Sequence, residues 1–87
     1  MVSFAPLCPD FVVELRSPSD RLVDLRAKLS DYLANGARLG WFIEPYARMV
    51  ETYRPGHDVE ALSNPETVAA DDVLPGFVLK LASIFEA

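Results

Sequence analysis

Phe11, Val13 and Leu15 alternate with Val12, Glu14 and Arg16, and this period of two predicts a strand over residues 10–16. Phe11, Val13 and Leu15 supply one apolar face and Val12 adds to the other, a two-sided pattern that suits a central strand covered on both sides. Ser17-Pro18-Ser19 breaks the run, and Ser17 or Ser19 is placed to cap a helix. Over residues 20–34 the period lengthens. Leu22, Leu25, Leu29, Tyr32 and Leu33 recur at three- and four-residue spacing and form one stripe. Asp20 and Asp24 favour the N-terminal end of that helix, and Asn35-Gly36 is a stop at which glycine can take a left-handed conformation. Leu39 to Ile43 reads as a second buried strand. A strand–helix–strand unit of this length implies a right-handed parallel crossover.

Pro45-Tyr46-Ala47 then turns the chain into a third strand, residues 48–53. Arg54-Pro55-Gly56-His57 marks another turn before a short strand over 59–62. Residues 63–75 are polar and proline-containing and read as a loop; a short amphipathic helix over 79–85 closes the chain. Residues 1–8 read as a loose lead-in. No repeat, low-complexity tract or linker interrupts the pattern, so residues 1–87 are expected to form one α/β domain.

Composition narrows this. With 87 residues, 51% of them hydrophobic and 24% charged, the chain can bury a core of modest stability and is no disordered segment. Cys8 is the only cysteine and His57 the only histidine, which excludes an internal disulfide and a zinc site built from these residue types. The first nine residues lack the basic start of a signal peptide, and no apolar run approaches the roughly 20 residues that span a bilayer. A cytoplasmic protein is expected. The net charge of −5 argues against a simple nucleic-acid binder, although a bound metal ion can supply positive charge locally.

The candidate chemistry lies in the first strand. Side chains alternate, so Asp10, Glu14 and Arg16 project from the same face as Val12. A carboxylate in a buried strand costs several kcal/mol unless it is answered. Two carboxylates beside a cation suggest a metal-dependent phosphodiesterase layout.

The same residues carry a resemblance. Pro9-Asp10-Phe11-Val12-Val13-Glu14-Leu15-Arg16-Ser17-Pro18-Ser19-Asp20 is followed by a helix with Leu25, Lys28 and Tyr32, and then by Asn35-Gly36, Arg38-Leu39-Gly40-Trp41, Tyr53-Arg54-Pro55-Gly56 and Val73-Leu74-Pro75-Gly76-Phe77. In this order the motifs resemble the Uma-type family of bacterial restriction endonucleases, within the PD-(D/E)XK nuclease superfamily, from about Leu7 to the C-terminus. The resemblance implies the C-terminal core of a restriction-endonuclease-like fold: strand, helix, strand, β-meander and a short terminal helix. It implies hydrolysis of DNA phosphodiester bonds with Mg²⁺, Glu14 holding the metal and positioning the attacking water.

Each residue also has a plainer reading. Glu14 could be a strand carboxylate paired with Arg16 or Arg38. Arg16 stands where the superfamily often has lysine; arginine stabilises phosphate charge but is a poor base near neutral pH. Lys28 fits an alternative in which that lysine sits on the adjacent helix, or its stem simply lies along the sheet while its amine reaches water. Asp10 could bind metal directly or cap the strand entry. His57 is expected to be solvated, Trp41 and Phe42 to be core, Tyr32 to pack, and Cys8 to have no nucleophilic role.

The family's metal-binding aspartate comes from an earlier strand, and Asp10 lies only four residues before Glu14. The resemblance therefore implies a partial domain, lacking an N-terminal portion, with weak Mg²⁺ binding and little or no cleavage alone. The other expectation is a degenerate nuclease that serves as a binding or oligomerisation module, a homodimer formed through an exposed sheet edge.

Overall fold

The computed structural model describes residues 10–71 and 73–85. The alternating segment forms β1 (Phe11–Leu15), which runs parallel to β2 (Leu39–Glu44) with Glu14 beside Phe42 and Val12 beside Gly40. Between them lies α1 (Leu22–Ala34), the crossover implied by the change of period. β3 (Met49–Tyr53) and β4 (Glu60–Ser63) then add as antiparallel neighbours, giving the sheet order β1-β2-β3-β4.

The sheet is covered on both faces, which explains why β2 is buried at all six positions. On one face Leu25 and Leu29 of α1 pack against Val12, Phe42 and Tyr53, flanked by Leu22, Tyr32 and Leu33. Gly40 admits the helix here: a Cβ on it would stand 2.9 Å from Leu29 Cδ2 and 3.4 Å from Val12 Cγ2. On the other face Phe11, Leu39, Trp41, Ile43 and Val50 form the larger core with Val68, Ala70, Leu81 and Phe85. Phe11 meets Trp41 edge-on at 4.9 Å between ring centroids.

Three expectations are corrected. Residues 63–75 are not wholly loop: Thr67–Ala69 forms β5, which pairs antiparallel with β6 (Val78–Lys80) in a second, two-stranded sheet. Val68 is the only buried residue of β5, so three residues carry too little alternation to announce a strand. β6 also takes the first part of the expected terminal helix, leaving α2 as Ala82–Phe85. Finally, neither Ser17 nor Ser19 caps α1, whose N-cap is Arg21 without a side-chain bond. Instead the Ser17 N–H and hydroxyl both donate to Asp20 Oδ2 at 2.9 Å. These bonds, the backbone one foremost, hold the Asp20 carboxyl below its usual pKa range. The expected stop is present: Gly36 has φ +110°, and the Asn35 side-chain amide donates to Asp31 O. No helix among the described residues is long and apolar enough to cross a membrane.

Candidate functional site

The parity of β1 sets the site. Even-numbered residues of β1 share a face with Gly40, Phe42 and Glu44 of β2 and, across the antiparallel pairing, with Met49, Glu51 and Tyr53 of β3. This is the face that α1 covers. It carries three buried carboxylates, Glu14, Glu44 and Glu51, and each has a cation beside it: Lys28, Arg16 and Arg26 respectively. A buried carboxylate demands such an answer, because unpaired charge out of water is strongly unfavourable.

Glu14 is fully buried, and Lys28 Nζ stands 3.7 Å from its Oε1. Lys28 lies three residues after Leu25 and four before Tyr32, so it sits at the margin of the apolar stripe. Its stem passes along the sheet while its side chain keeps 36% of its exposure. The structure thus brings Glu14 to Lys28, rather than to Arg16 or Arg38.

Arg16 is engaged elsewhere. Its Nη1 bonds Glu44 Oε1, and its Nε donates to Asp20 O at 3.3 Å. Glu44 Oε2 accepts from the N–H groups of Tyr46 and Ala47 at 2.6 and 3.1 Å. Burial opposes ionisation of Glu44, but the bonds from Arg16, Ala47 and Tyr46 outweigh it and hold its pKa below the usual carboxylate value. The Arg16–Glu44 pair therefore ties the end of β1 to the β2–β3 turn. Asp10 faces Arg38, with Nη1 at 3.7 Å from Oδ2, and both are well exposed to solvent. Four strand steps of about 3.3 Å separate Asp10 from Glu14 by roughly 13 Å, and the structure does not gather them around one point.

Glu51 was not singled out by its sequence. Arg26 grips it with two bonds, Nε to Oε1 at 3.1 Å and Nη2 to Oε2 at 2.8 Å, and the Tyr53 hydroxyl donates to Oε1 at 2.8 Å. Burial, reinforced by this bond to Glu51, pushes the Tyr53 pKa up to about 12. The bonds from Arg26 to Glu51 likewise raise the guanidinium above its ordinary value. The available signal was weak: a glutamate between Val50 and Thr52 in a strand, with its partner 25 residues upstream on a helix.

The remaining candidates fall where expected or outside the described residues. His57 is exposed at a turn, Trp41 and Phe42 are fully buried, and Tyr32 packs beside Leu25 and Leu29. Cys8 lies outside the described residues. Among the described residues, no three His, Cys, Asp or Glu side chains cluster so as to hold a metal ion.

Comparison with known proteins agrees with this architecture. Residues 2–82 match the Uma2 family, described as "Putative restriction endonuclease". A crystal structure of a "putative nuclease belonging to DUF820" from Anabaena variabilis superposes with a TM-score of 0.77 at 24% sequence identity. At that identity the likeness is one of fold. The match covers 88% of this chain and 44% of the Anabaena chain, so this chain spans less than half the length of that protein. No curated protein sequence matches it.

Proposed function

The chain belongs to the Uma2 family, and from that premise we propose that its helix-covered face carries part of a site for hydrolysis of DNA phosphodiester bonds, with Glu14 and Lys28 as the reacting pair. One observation carries the reading: a lysine from α1, not the strand arginine, reaches the buried glutamate of β1 at 3.7 Å. Phosphodiester hydrolysis forms a bond from water oxygen to phosphorus and breaks the ester bond opposite it. A carboxylate oxygen can accept a hydrogen bond from that water, and an ammonium can neutralise charge growing on the phosphate oxygens. Lys28 supplies a compact point charge on a flexible stem, which suits the second task. Arg16, held by Glu44 and the Asp20 carbonyl, serves to position the β2–β3 turn.

Mg²⁺ is the ion that the family implies, and the described residues do not fit it. Mg²⁺ keeps several waters and is held by one or two carboxylates together with substrate phosphates. Glu14 is closed to solvent, and the described residues supply no acidic cluster around it. We therefore assign to this chain the carboxylate-and-cation half of a nuclease site and expect it to cleave little or not at all unaided. The test is nicking of supercoiled plasmid by the 87-residue chain in Mg²⁺ or Mn²⁺, beside Glu14→Ala and Lys28→Ala. Nicking at background in all three is the expected result; robust metal-dependent nicking that disappears in Glu14→Ala would overturn it.

A further inference from the structure

The chain carries eight lysines and arginines, and most of them are answered. Arg16, Arg21, Arg26, Lys28 and Arg38 stand in ion pairs with carboxylates, and Arg54 is engaged as well. The two that remain, Arg48 and Lys80, are exposed and meet no carboxylate among the described residues. Both line one cleft of about 450 Å³ between the ends of the two sheets. Their neighbours there are matched. Thr67 lies opposite Lys80 in the β5–β6 pairing. Asn64 lies beside Arg48, its N–H donating to Arg48 O at 2.6 Å just past the Met49–Ser63 pair. Each pair thus brings one cation and one neutral side chain able to donate a hydrogen bond. Glu66 also lines the cleft, but its carboxylate is not within ion-pair distance of either cation. The backbone adds a second observation. Arg48 is held at φ +52°, in a turn that its own N–H closes by donating to Pro45 O at 3.3 Å. Asparagine, as at Asn64 with φ +47°, tolerates this left-handed conformation and glycine adopts it freely, whereas a long side chain is disfavoured. The turn favours glycine at position 48, yet a cation stands there.

We propose that this cleft binds a phosphate group, Arg48 and Lys80 neutralising its charge while Asn64 and Thr67 donate to its remaining oxygens. A planar carboxylate is satisfied by one arginine fork. Phosphate oxygens point in tetrahedral directions, and they suit donors that converge from two separate strand pairs. The cleft is of the size that takes a small organic molecule, so room remains for the sugar or base of a nucleotide beside Phe85. The same phosphate group occurs on a free nucleotide and along a DNA strand, and the cleft recognises what the two share. None of these residues belongs to the Glu14–Lys28 pair, so neither outcome of the plasmid assay bears on this site.

Titration of the whole isotope-labelled chain with inorganic phosphate, at constant ionic strength in chloride, is the first test. The amide resonances of Arg48, Asn64, Thr67 and Lys80 should shift together and saturate, with a Kd on the order of 1 mM because the charges are solvent-exposed. Lys80→Ala, at an exposed position, should fold normally and bind phosphate about tenfold more weakly. Arg48→Gly separates the side chain from the turn. It should also weaken binding about tenfold, while the melting temperature holds or rises because glycine relieves the backbone. Glu66→Gln removes a like charge and should tighten binding about threefold. A deoxynucleoside monophosphate and a short DNA duplex are then compared at the same four amides, each in competition with inorganic phosphate. Tighter binding of the first assigns the cleft to free nucleotides, and of the second to a DNA backbone. Absence of saturable shifts at these amides well above that phosphate concentration would overturn the proposal. So would unchanged affinity in both cation variants, or a marked loss of stability in Arg48→Gly, which would make the arginine a part of the turn alone.

Discussion

Glu14 and Glu51 flank Phe42 on one face of one sheet, and each has a cation from α1 beside it, yet the two sites are built to different ends. Glu51 is seized by the planar fork of Arg26 and by the Tyr53 hydroxyl, with three bonds of 2.8 to 3.1 Å. Glu14 faces a lysine ammonium at 3.7 Å on a flexible stem that remains partly in water. Arginine fixes both oxygens of a carboxylate in one plane, whereas lysine is a point charge that can move to another oxygen at little cost. Burial therefore does not distinguish the two carboxylates. The cation's shape and freedom do.

The comparison breaks first, and most visibly, at Arg26. Arg26→Ala leaves the buried Glu51 beside Tyr53 without its counter-charge; because the Arg26 side chain itself keeps 42% of its exposure, the cost is expected below that of a fully buried pair, at about 2 kcal/mol. In urea melts the midpoint should fall sharply with the slope unchanged. A loss below about 1 kcal/mol would mean that solvent reaches Glu51, and that Arg26 is no more committed to its partner than Lys28 is.

How far these pairs could be read in advance depended on how local their causes are. β1, α1 and β2 were legible because Val12, Leu25, Leu29 and Leu39 repeat at the period of their own element. Glu14 was legible because a charge among Phe11, Val12 and Val13 stands out within five residues. Its partner was not, because choosing Lys28 over Arg16 depends on how α1 lies across the sheet. Only the structure shows Arg16 already held by Glu44. The Arg26–Glu51 pair was hidden for the same reason, its members brought together by the crossover and by two strand pairings. β5 and β6 escaped because three-residue strands owe their existence to the core face beneath Val68 and Leu79 rather than to their own pattern.

A smaller effect sharpens the contrast through pH. The Tyr53 phenol is raised from 10.0 to about 12 in the folded chain. Between those values the unfolded chain gives up this proton and the folded one keeps it. The stabilisation is therefore complete below pH 10 and disappears as the pH climbs through the folded pKa. A two-unit shift corresponds to on the order of 2 kcal/mol across that window. Tyr53→Phe should lose about 1 kcal/mol at neutral pH, by removing one bond to a buried carboxylate, and should flatten the alkaline arm of the stability profile. An unchanged alkaline arm would show that another group is responsible.

The smallest effect on stability is expected where the largest effect on chemistry is proposed. Glu14→Gln keeps the volume of the side chain and removes a buried charge. Its partner Lys28 remains partly hydrated, so no charge is stranded, and the change should stay within about 1 kcal/mol in either direction. The same substitution at Glu51 turns one of the two oxygens that accept from Arg26 and Tyr53 into an N–H donor and removes the charge, and should cost about 2 kcal/mol. Thermal melts of Glu14→Gln and Glu51→Gln side by side measure that difference directly. If Glu14→Gln proves as costly as Glu51→Gln, then Lys28 is as fixed as Arg26 and the Glu14–Lys28 pair is a strut of the fold. If Glu14→Gln is neutral, the fold has no need of that carboxylate, and its place in a buried strand calls for the chemical explanation.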